Sequence, residues 1–393
     1  MKIKRIIVAG STGSIGSSTI DVIRKNPDLF KIAGLSCNTN WQKMFVQADE
    51  FLPEAVAVSV GFENDGVNSH KFLKQESRNY TFKDNIKIYV GTNALVDMVR
   101  ETKADLVVNG VSGVSGLLVS FWTLMSGKDL ALANKESIVM AGELLLDMAK
   151  KKEREILPID SEHSAVFNLM RILDRSSIDE IVLTASGGAL RDYTAEQLNN
   201  VTVADALRHP TWKMGKKITI DSASMANKGL EVIEANKLFS FSPEKLKVVI
   251  HPQSIVHSLI RTKDGMLYGQ IGKPDMRLPI QNALTYPEIR DTGFSRLLLD
   301  DVTLEFRKID FQKYRMLSLA YSVIEEGGVL PIVYNAANEV AVSMFIEEKI
   351  KFVDIPDVVE QCLSKNWQGK ALSIEDIMDV DLRARKISEE YIR

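Results

Sequence analysis

Cysteine is nearly absent: the 393 residues contain two, Cys37 and Cys362. Two thiols cannot staple a fold of this length, so a disulfide scaffold is excluded and a cytoplasmic, reducing location is expected. Excess charge of either sign is also missing. The 49 Lys+Arg and 52 Asp+Glu leave a net charge of −3, which gives no global footprint for nucleic acid or an anionic membrane. Long apolar runs are scarce. Basic residues precede a short apolar run at the N-terminus, as in a secretion signal, but the run turns polar after Gly10. A buried parallel strand explains it better. The uncharged stretch 106–126 could span a bilayer by length. It contains Asn109, Ser112, Ser115, Ser120 and three glycines, and so reads as strand, loop and helix. No membrane partner is expected. Apolar residues at 45% and charged residues at 26% are ordinary for a globular chain. At ~150 residues per domain the length suggests two or three domains.

The N-terminal pattern alternates. Strands are expected over 4–9, 30–36, 55–60, 86–90 and 106–109. Helices are expected over 14–25, 41–51 and 94–100, then over 137–155. Residues 61–85 read as a loop with one helix at most. Such alternation marks βαβ units on a parallel sheet, an α/β architecture. Near Pro158 the texture changes to short β-rich runs over 181–185, 247–251, 258–261 and 266–271, mixed with polar loops. This predicts an α+β region. From about 315 four helical stretches follow, 316–326, 333–348, 355–364 and 374–390, which predict a small helical bundle.

Gly10-Ser11-Thr12-Gly13-Ser14-Ile15-Gly16 sits between the first strand and the first helix. Glycines there let backbone N–H groups approach a pyrophosphate at the helix N-terminus. A tight turn without a ligand is the alternative. The second strand ends at Ser36-Cys37-Asn38-Thr39-Asn40, with no acid before Asp49. An acid at this place holds the ribose hydroxyls of NAD. Its absence favours NADP(H), although no arginine stands beside it. No tyrosine has lysine four positions later, which disfavours short-chain dehydrogenase chemistry.

Pro158-Ile159-Asp160-Ser161-Glu162-His163 sets two carboxylates two residues apart. An extended backbone would point both to one side. Downstream, 221–231 is expected to begin a helix with Ala226, Leu230 and Ile233 as its apolar stripe. At ~100° per residue, Asn227 and Glu231 lie about 40° apart on the polar face, with Lys228 one step round. Asp160, Glu162 and Glu231 offer only hard oxygen donors, which suit Mg²⁺ or Mn²⁺ better than zinc. Solvated carboxylates on an ordinary helix surface are the alternative. Four histidines, His163, His209, His251 and His257, fall in this region, most of them expected as polar core. Residues 209–217 combine Trp212, Met214, Gly215 and three lysines. They read either as a lid over an anionic substrate or as a surface loop tethered by its tryptophan.

Several of these segments occur together and in order: GSTGSIG at 10, LANKES at 132, IDSEH at 159 and LTASGGALR at 183. They continue with RHPTWKMGKKITIDSASMANKGLEVIEA at 208, IHPQS at 250, GKPDMRLPIQ at 272 and LPIVYNAANEVAV at 330. Over nearly its whole length the chain resembles the 1-deoxy-D-xylulose-5-phosphate reductoisomerases. The resemblance implies a Rossmann-like NADPH-binding domain over 1–158, a catalytic and metal-binding domain over 159–290, a linker over 291–314 and a four-helix bundle over 315–393. It implies a homodimer that uses NADPH and a divalent metal, Mg²⁺ or Mn²⁺ with Co²⁺ as a further candidate. The reaction implied is conversion of 1-deoxy-D-xylulose 5-phosphate to 2-C-methyl-D-erythritol 4-phosphate in non-mevalonate isoprenoid synthesis. By motif match, Asp160, Glu162 and Glu231 look like the metal ligands. Ser186, Ser222, Asn227 and His209 look like phosphate-end contacts, and Ser161 and Lys228 like contacts to substrate hydroxyls. Lys135 looks like a cation between cofactor and substrate, and Trp212 like the lid residue. Thr12, Gly13, Ser14, Ile15, Thr39, Asn40, Asn134, Glu136 and Gly215 look like the nucleotide shell.

Three places depart from the family pattern. Thr39 stands where some relatives carry a basic residue, Ala189-Leu190 replaces Pro-Phe, and Thr211 replaces Asn. The implied chemistry is a carbon-skeleton rearrangement, by retro-aldol cleavage and re-aldolisation, followed by reduction of the aldehyde. Either Glu162 or Lys228 could carry the proton. A different metal-dependent NADP dehydrogenase and a non-catalytic NADPH sensor are the competing readings. Neither needs the lid, the serine-rich cradle and the carboxylates together.

Overall fold

The computed structural model describes residues 3–59, 73–76, 85–212, 214–291, 293–294, 296–300 and 302–392. The expectation for 61–85 lies outside these residues except at 73–76 and 85. The chain folds as two units. The first comprises Met1–Ser137, Leu145–Asp160 and Asp275–Phe294; the second comprises Ile138–Leu144, Ser161–Pro274 and Ser295–Arg393.

The first unit is built on seven strands: β1 (Lys4–Ala9), β2 (Phe30–Cys37), β3 (Ala55–Val58), β4 (Lys87–Val90), β5 (Leu106–Asn109), β6 (Asp129–Leu132) and β7 (Ile156–Pro158). Their order is β4-β3-β2-β1-β5-β6-β7, with every pairing parallel. The strands are short and rich in Val, Ile, Leu and Ala because helices cover both faces of such a sheet. Ile6, Ile7, Val8 and Ala9 are all fully buried. The order reverses around β1, which is where an open α/β sheet binds ligands, at the carboxyl ends of its strands. The Arg277–Thr285 helix packs on the Ser14–Lys25 helix. Lys4 Nζ donates to the Leu284 carbonyl at 2.7 Å and fastens this late segment to β1.

The second unit has a four-stranded sheet of β8 (Ile178–Ala185), β9 (Leu246–Ile250), β10 (Val256–Thr262) and β11 (Leu267–Ile271), ordered β11-β10-β8-β9. β8 runs parallel to β9 and antiparallel to β10. The four C-terminal helices run over Arg315–Glu326, Leu330–Ile346, Ile355–Leu363 and Ile374–Glu389, close to the expected bundle. Their apolar faces share a core that includes Leu230, Ile233, Met316, Val333, Tyr334 and Val359.

Two expectations are corrected. The helix expected from 221 is two helices, Lys216–Ser224 and Ala226–Phe239, broken at Met225, whose φ of +63° is left-handed. The segment 160–162 is not extended. β7 ends at Pro158 and a helix starts at Ser161, because the strand-to-helix crossing of a βα unit falls there. Among the described residues, no helix is long and apolar enough to cross a membrane.

Candidate active site

In the first unit the glycine-rich turn lies at the carboxyl end of β1. Gly10 N–H donates to Ser36 Oγ at 2.9 Å, which ties the turn to the end of β2. A methyl group on Gly16 would sit 2.2 Å from the Gly10 carbonyl oxygen. Only glycine lets the helix start that close to the turn. Thr12, Gly13, Ser14 and Ile15 form the helix mouth, with Gly13 at the N-cap. Thr39 and Asn40 follow β2, and the Asn40 side chain caps the Trp41–Phe51 helix by accepting from Lys43 N–H at 3.2 Å. Lys43 belongs to none of the sequence motifs. Its ammonium donates to the Thr12 carbonyl and to Ser17 Oγ, each at 2.9 Å. A basic residue four positions beyond Thr39, in the first turn of the next helix, was the available signal.

The turn after β6 forms a second part of this end. Asn134 caps the Lys135–Lys152 helix through Ser137 N–H at 3.0 Å and donates to the Gly113 carbonyl, also at 3.0 Å. Glu136 accepts from Asn134 Nδ2 at 3.0 Å. Lys135, almost fully buried, pairs with Asp160 at 2.7 Å. Burial of an ammonium needs such a partner.

In the second unit the Ser161–Met170 and Ala226–Phe239 helices bring their polar groups together. Lys228, 3% exposed, donates to Glu162 Oε1 at 2.8 Å and to Glu231. Burial acts to lower the Lys228 pKa, but the two carboxylates outweigh it and hold the ammonium above its ordinary value. Asn227 Nδ2 donates to Glu231 Oε1 at 2.5 Å, as the expected polar face required. Ser161 Oγ donates to Glu162 Oε2 at 2.5 Å. Two carboxylates converging on one buried cation form a hard-oxygen donor set that fits a small divalent cation. His163 is wholly buried, between the Glu231 carbonyl oxygen at 2.9 Å and Glu234 at 3.3 Å. It braces the helix rather than facing ligand. His257, 8% exposed, has its pKa lowered by burial against the opposing charge of Glu162. Its nearness to Glu162 is a tertiary fact with no local sequence signature.

The serine-rich part is also in this unit. Ser186 comes directly after β8 and is followed by Gly187 and Gly188 at φ of +84° and +67°. A methyl group on Gly188 would lie 2.6 Å from the Ser222 carbonyl oxygen, so the turn packs directly on the Lys216–Ser224 helix. His209 Nδ1 accepts from the N–H groups of Thr211 at 3.1 Å and Trp212 at 2.9 Å. The ring proton of neutral His209 therefore sits on Nε2 and points to Ser186 Oγ at 3.0 Å. Ser186 Oγ also accepts from Gly188 N–H at 3.1 Å. Both its lone pairs are used, and its own proton is left to donate to an anion. Burial, with help from Arg191, lowers the His209 pKa to about 4, which keeps the ring neutral. Trp212 is half-buried on an irregular stretch, and Gly215 is the N-cap of the Lys216–Ser224 helix. The lid expectation covers Lys213, which lies outside the described residues; Lys216 and Lys217 belong to the helix.

Three family models match the chain. One described as 1-deoxy-D-xylulose 5-phosphate reductoisomerase matches residues 6–142. Its C-terminal domain model matches 156–239, and a DXP reductoisomerase C-terminal domain model matches 271–387. A curated 1-deoxy-D-xylulose 5-phosphate reductoisomerase of Phocaeicola vulgatus is 43% identical over 386 residues, covering 98% of each chain. That of Thermoanaerobacter pseudethanolicus is 42% identical, covering 99% of this chain and 100% of its own. A crystal structure of DOX-P reductoisomerase in complex with NADPH, fosmidomycin and magnesium superposes with a TM-score of 0.90 at 36% identity, over 99% and 98% of the two chains. The Zymomonas mobilis enzyme in complex with NADPH gives 0.90 at 34% identity over the whole of both chains. With that agreement in sequence and fold at full coverage, the chain belongs to the 1-deoxy-D-xylulose 5-phosphate reductoisomerase family.

Proposed function

We infer that the chain carries out its family's reaction, the NADPH- and metal-dependent conversion of 1-deoxy-D-xylulose 5-phosphate to 2-C-methyl-D-erythritol 4-phosphate. The observation that carries this reading is the pairing of Lys228 with both Glu162 and Glu231 in the unit that also holds the Ser186–His209 donor pair. The relatives whose structures contain NADPH and magnesium support the same cofactors here. Asp160, Glu162 and Glu231 are assigned to the metal; chain connectivity keeps Asp160 two residues from Glu162. When bound, the metal polarises the substrate ketone and adjacent hydroxyl, and NADPH supplies the reducing equivalent.

The chain's own groups bind, orient and shield. Ser186, Ser222, Asn227 and His209 take the phosphate end, with Ser186 donating its free hydroxyl proton. Ser161 and Lys228 take substrate hydroxyls, and Lys228 or Glu162 moves the proton between them. Trp212 covers the substrate and keeps the aldehyde from water. Lys135 stands between cofactor and substrate. Thr12, Gly13, Ser14, Ile15, Asn40, Asn134, Glu136 and Gly215 surround the dinucleotide. Thr39 has no charge for a 2′-phosphate, and Lys43 is assigned that contact. By this assignment 1–158 serves the nucleotide, 159–290 the substrate and metal, and 315–393 is the supporting bundle beyond a linker.

A homodimer in the cytoplasm completes the reading. The edge strand β11 exposes Leu267, Tyr268 and Ile271, a surface suited to a second copy. The buried free thiols of Cys37 and Cys362 suit a reducing compartment. The deciding experiment follows NADPH absorbance with 1-deoxy-D-xylulose 5-phosphate, before and after EDTA treatment and on adding back Mg²⁺ or Mn²⁺. Consumption that needs both substrate and metal is expected; none from folded, metal-replete protein would overturn the reading.

A further inference from the structure

The turn that carries Ser186 is permissive by composition. Gly187 and Gly188 follow it at positive φ, and glycine adds little stiffness of its own. His209 and Gly188 N–H hold the Ser186 hydroxyl, but the backbone that carries it needs support of its own. Arg191 Nη1 donates to the Ser186 carbonyl oxygen at 2.8 Å and closes the turn from within. Behind Arg191, Lys313 donates to three carbonyls of the same stretch: Leu190 at 3.1 Å, Arg191 at 2.7 Å and Tyr193 at 2.7 Å. An ammonium has three donors, and here all three are spent on one stretch of backbone. Lys313 is itself fixed. Asp310 Oδ1 accepts from the N–H groups of Gln312 at 2.9 Å and Lys313 at 3.2 Å, just ahead of the Arg315–Glu326 helix.

We propose that Lys313 is a positioning residue for the substrate phosphate: by gathering the carbonyls of Leu190, Arg191 and Tyr193 it sets Arg191, and through Arg191 the angle at which Ser186 donates. The inference rests on the reading of Ser186 as a phosphate-end contact. The Lys313 ammonium is committed to backbone carbonyls of the turn's own stretch, so its effect is expected to be selective. A looser Ser186 weakens substrate binding while leaving the nucleotide end and the carboxylates as they are. Arginine can supply N–H donors at the same place; methionine keeps the stem and supplies none.

Lys313→Met, Lys313→Arg and Ser186→Ala are compared with the unaltered chain by steady-state kinetics with metal present, and folding is checked by thermal melting. The Met variant is expected to raise KM for 1-deoxy-D-xylulose 5-phosphate by about tenfold, with kcat within about threefold and KM for NADPH unchanged. Lys313→Arg is expected to recover most of that loss. Arg191→Met tests the same chain of contacts should Lys313→Met not fold, with the same selective rise expected. An unaltered substrate KM in the folded Met variant, an equal rise in KM for NADPH, or no recovery with arginine overturns the proposal. Ser186→Ala separates the two levels. A raised substrate KM there alongside a silent Lys313→Met rejects the clamp alone; an unchanged KM in Ser186→Ala rejects the phosphate reading and the clamp with it.

Discussion

At the scale of single residues, the polar cluster of the second unit leaves little freedom. Lys228 and Glu231 are 3% and 1% exposed, so neither regains water if its partner is neutralised. Glu231→Gln keeps the shape and a hydrogen-bonding group but removes one of the two charges facing Lys228. Turnover is expected to be largely abolished and NADPH affinity near normal, measured by kcat and by fluorescence titration with NADPH. Turnover like that of the unaltered chain at saturating metal would sink Glu231 as a ligand. His209 gives a second test through its protonation. Burial and Arg191 lower its folded pKa to about 4 from 6.5. The unfolded chain therefore binds this proton first, and the group's contribution to stability is level above pH 6.5 and lost as pH falls toward 4. Imidazole NMR should show the His209 ring neutral at pH 5.5 and easier to protonate when 1-deoxy-D-xylulose 5-phosphate binds, because a phosphate dianion offsets Arg191. A His209 that titrates near 6.5 without substrate would contradict its burial beside Arg191; a neutral ring with its proton on Nδ1 would contradict the role given to Ser186.

At the scale of elements, the proposed place of Lys43 would make the Trp41–Phe51 helix the one that sets nucleotide choice. Asn40 caps it, and the first turn carries Lys43 to the mouth of the glycine-rich turn. Charge-assisted contacts of this kind contribute ~1.5–3 kcal/mol, or about 10- to 100-fold in affinity. Lys43→Met should raise KM for NADPH on that scale and leave KM for NADH unchanged; equal changes for both nucleotides would remove Lys43 from the 2′-phosphate. The sequence pattern makes some of these elements readable and hides others for physical reasons. The glycine-rich turn, β1 and β2 are legible because strand, turn and helix signals lie within 30 residues of one another. The four C-terminal helices are legible through their apolar periodicity. Met225 is not: methionine has no preference for the left-handed region, and packing alone puts it there. The Glu162–Lys228 pair joins positions 66 apart. The spacing within 227–231 shows one polar face, but only tertiary folding shows that Glu162 meets it. Lys43 and Thr12, 31 positions apart, escape notice for the same reason.

At the scale of the whole molecule, a net charge of −3 supplies no general attraction for a sugar phosphate and a dinucleotide. On the proposed assignments the work would fall to local groups: backbone amides at the glycine-rich turn, Lys43, Lys135, Lys228 and a metal. A surface without strong net charge also does little to keep two copies apart. The second unit's sheet ends at β11, whose outer edge is unpaired among the described residues and carries Leu267 at 48%, Tyr268 at 41% and Ile271 at 47% exposure. Edge strands with exposed apolar side chains pair with other chains unless blocked by charge, proline or a bulge. The strand Leu267-Tyr268-Gly269-Gln270-Ile271 has none of the first two. The unaltered chain is therefore expected to sediment at twice its chain mass. Leu267 and Ile271 lie on one face of β11, and replacing both with lysine places like charges against each other across a two-fold contact. Sedimentation equilibrium of Leu267→Lys/Ile271→Lys should give a single-chain mass with the far-ultraviolet spectrum retained. A double variant that keeps twice the chain mass would move the contact to another surface, and an unaltered chain at single mass would remove the dimer altogether.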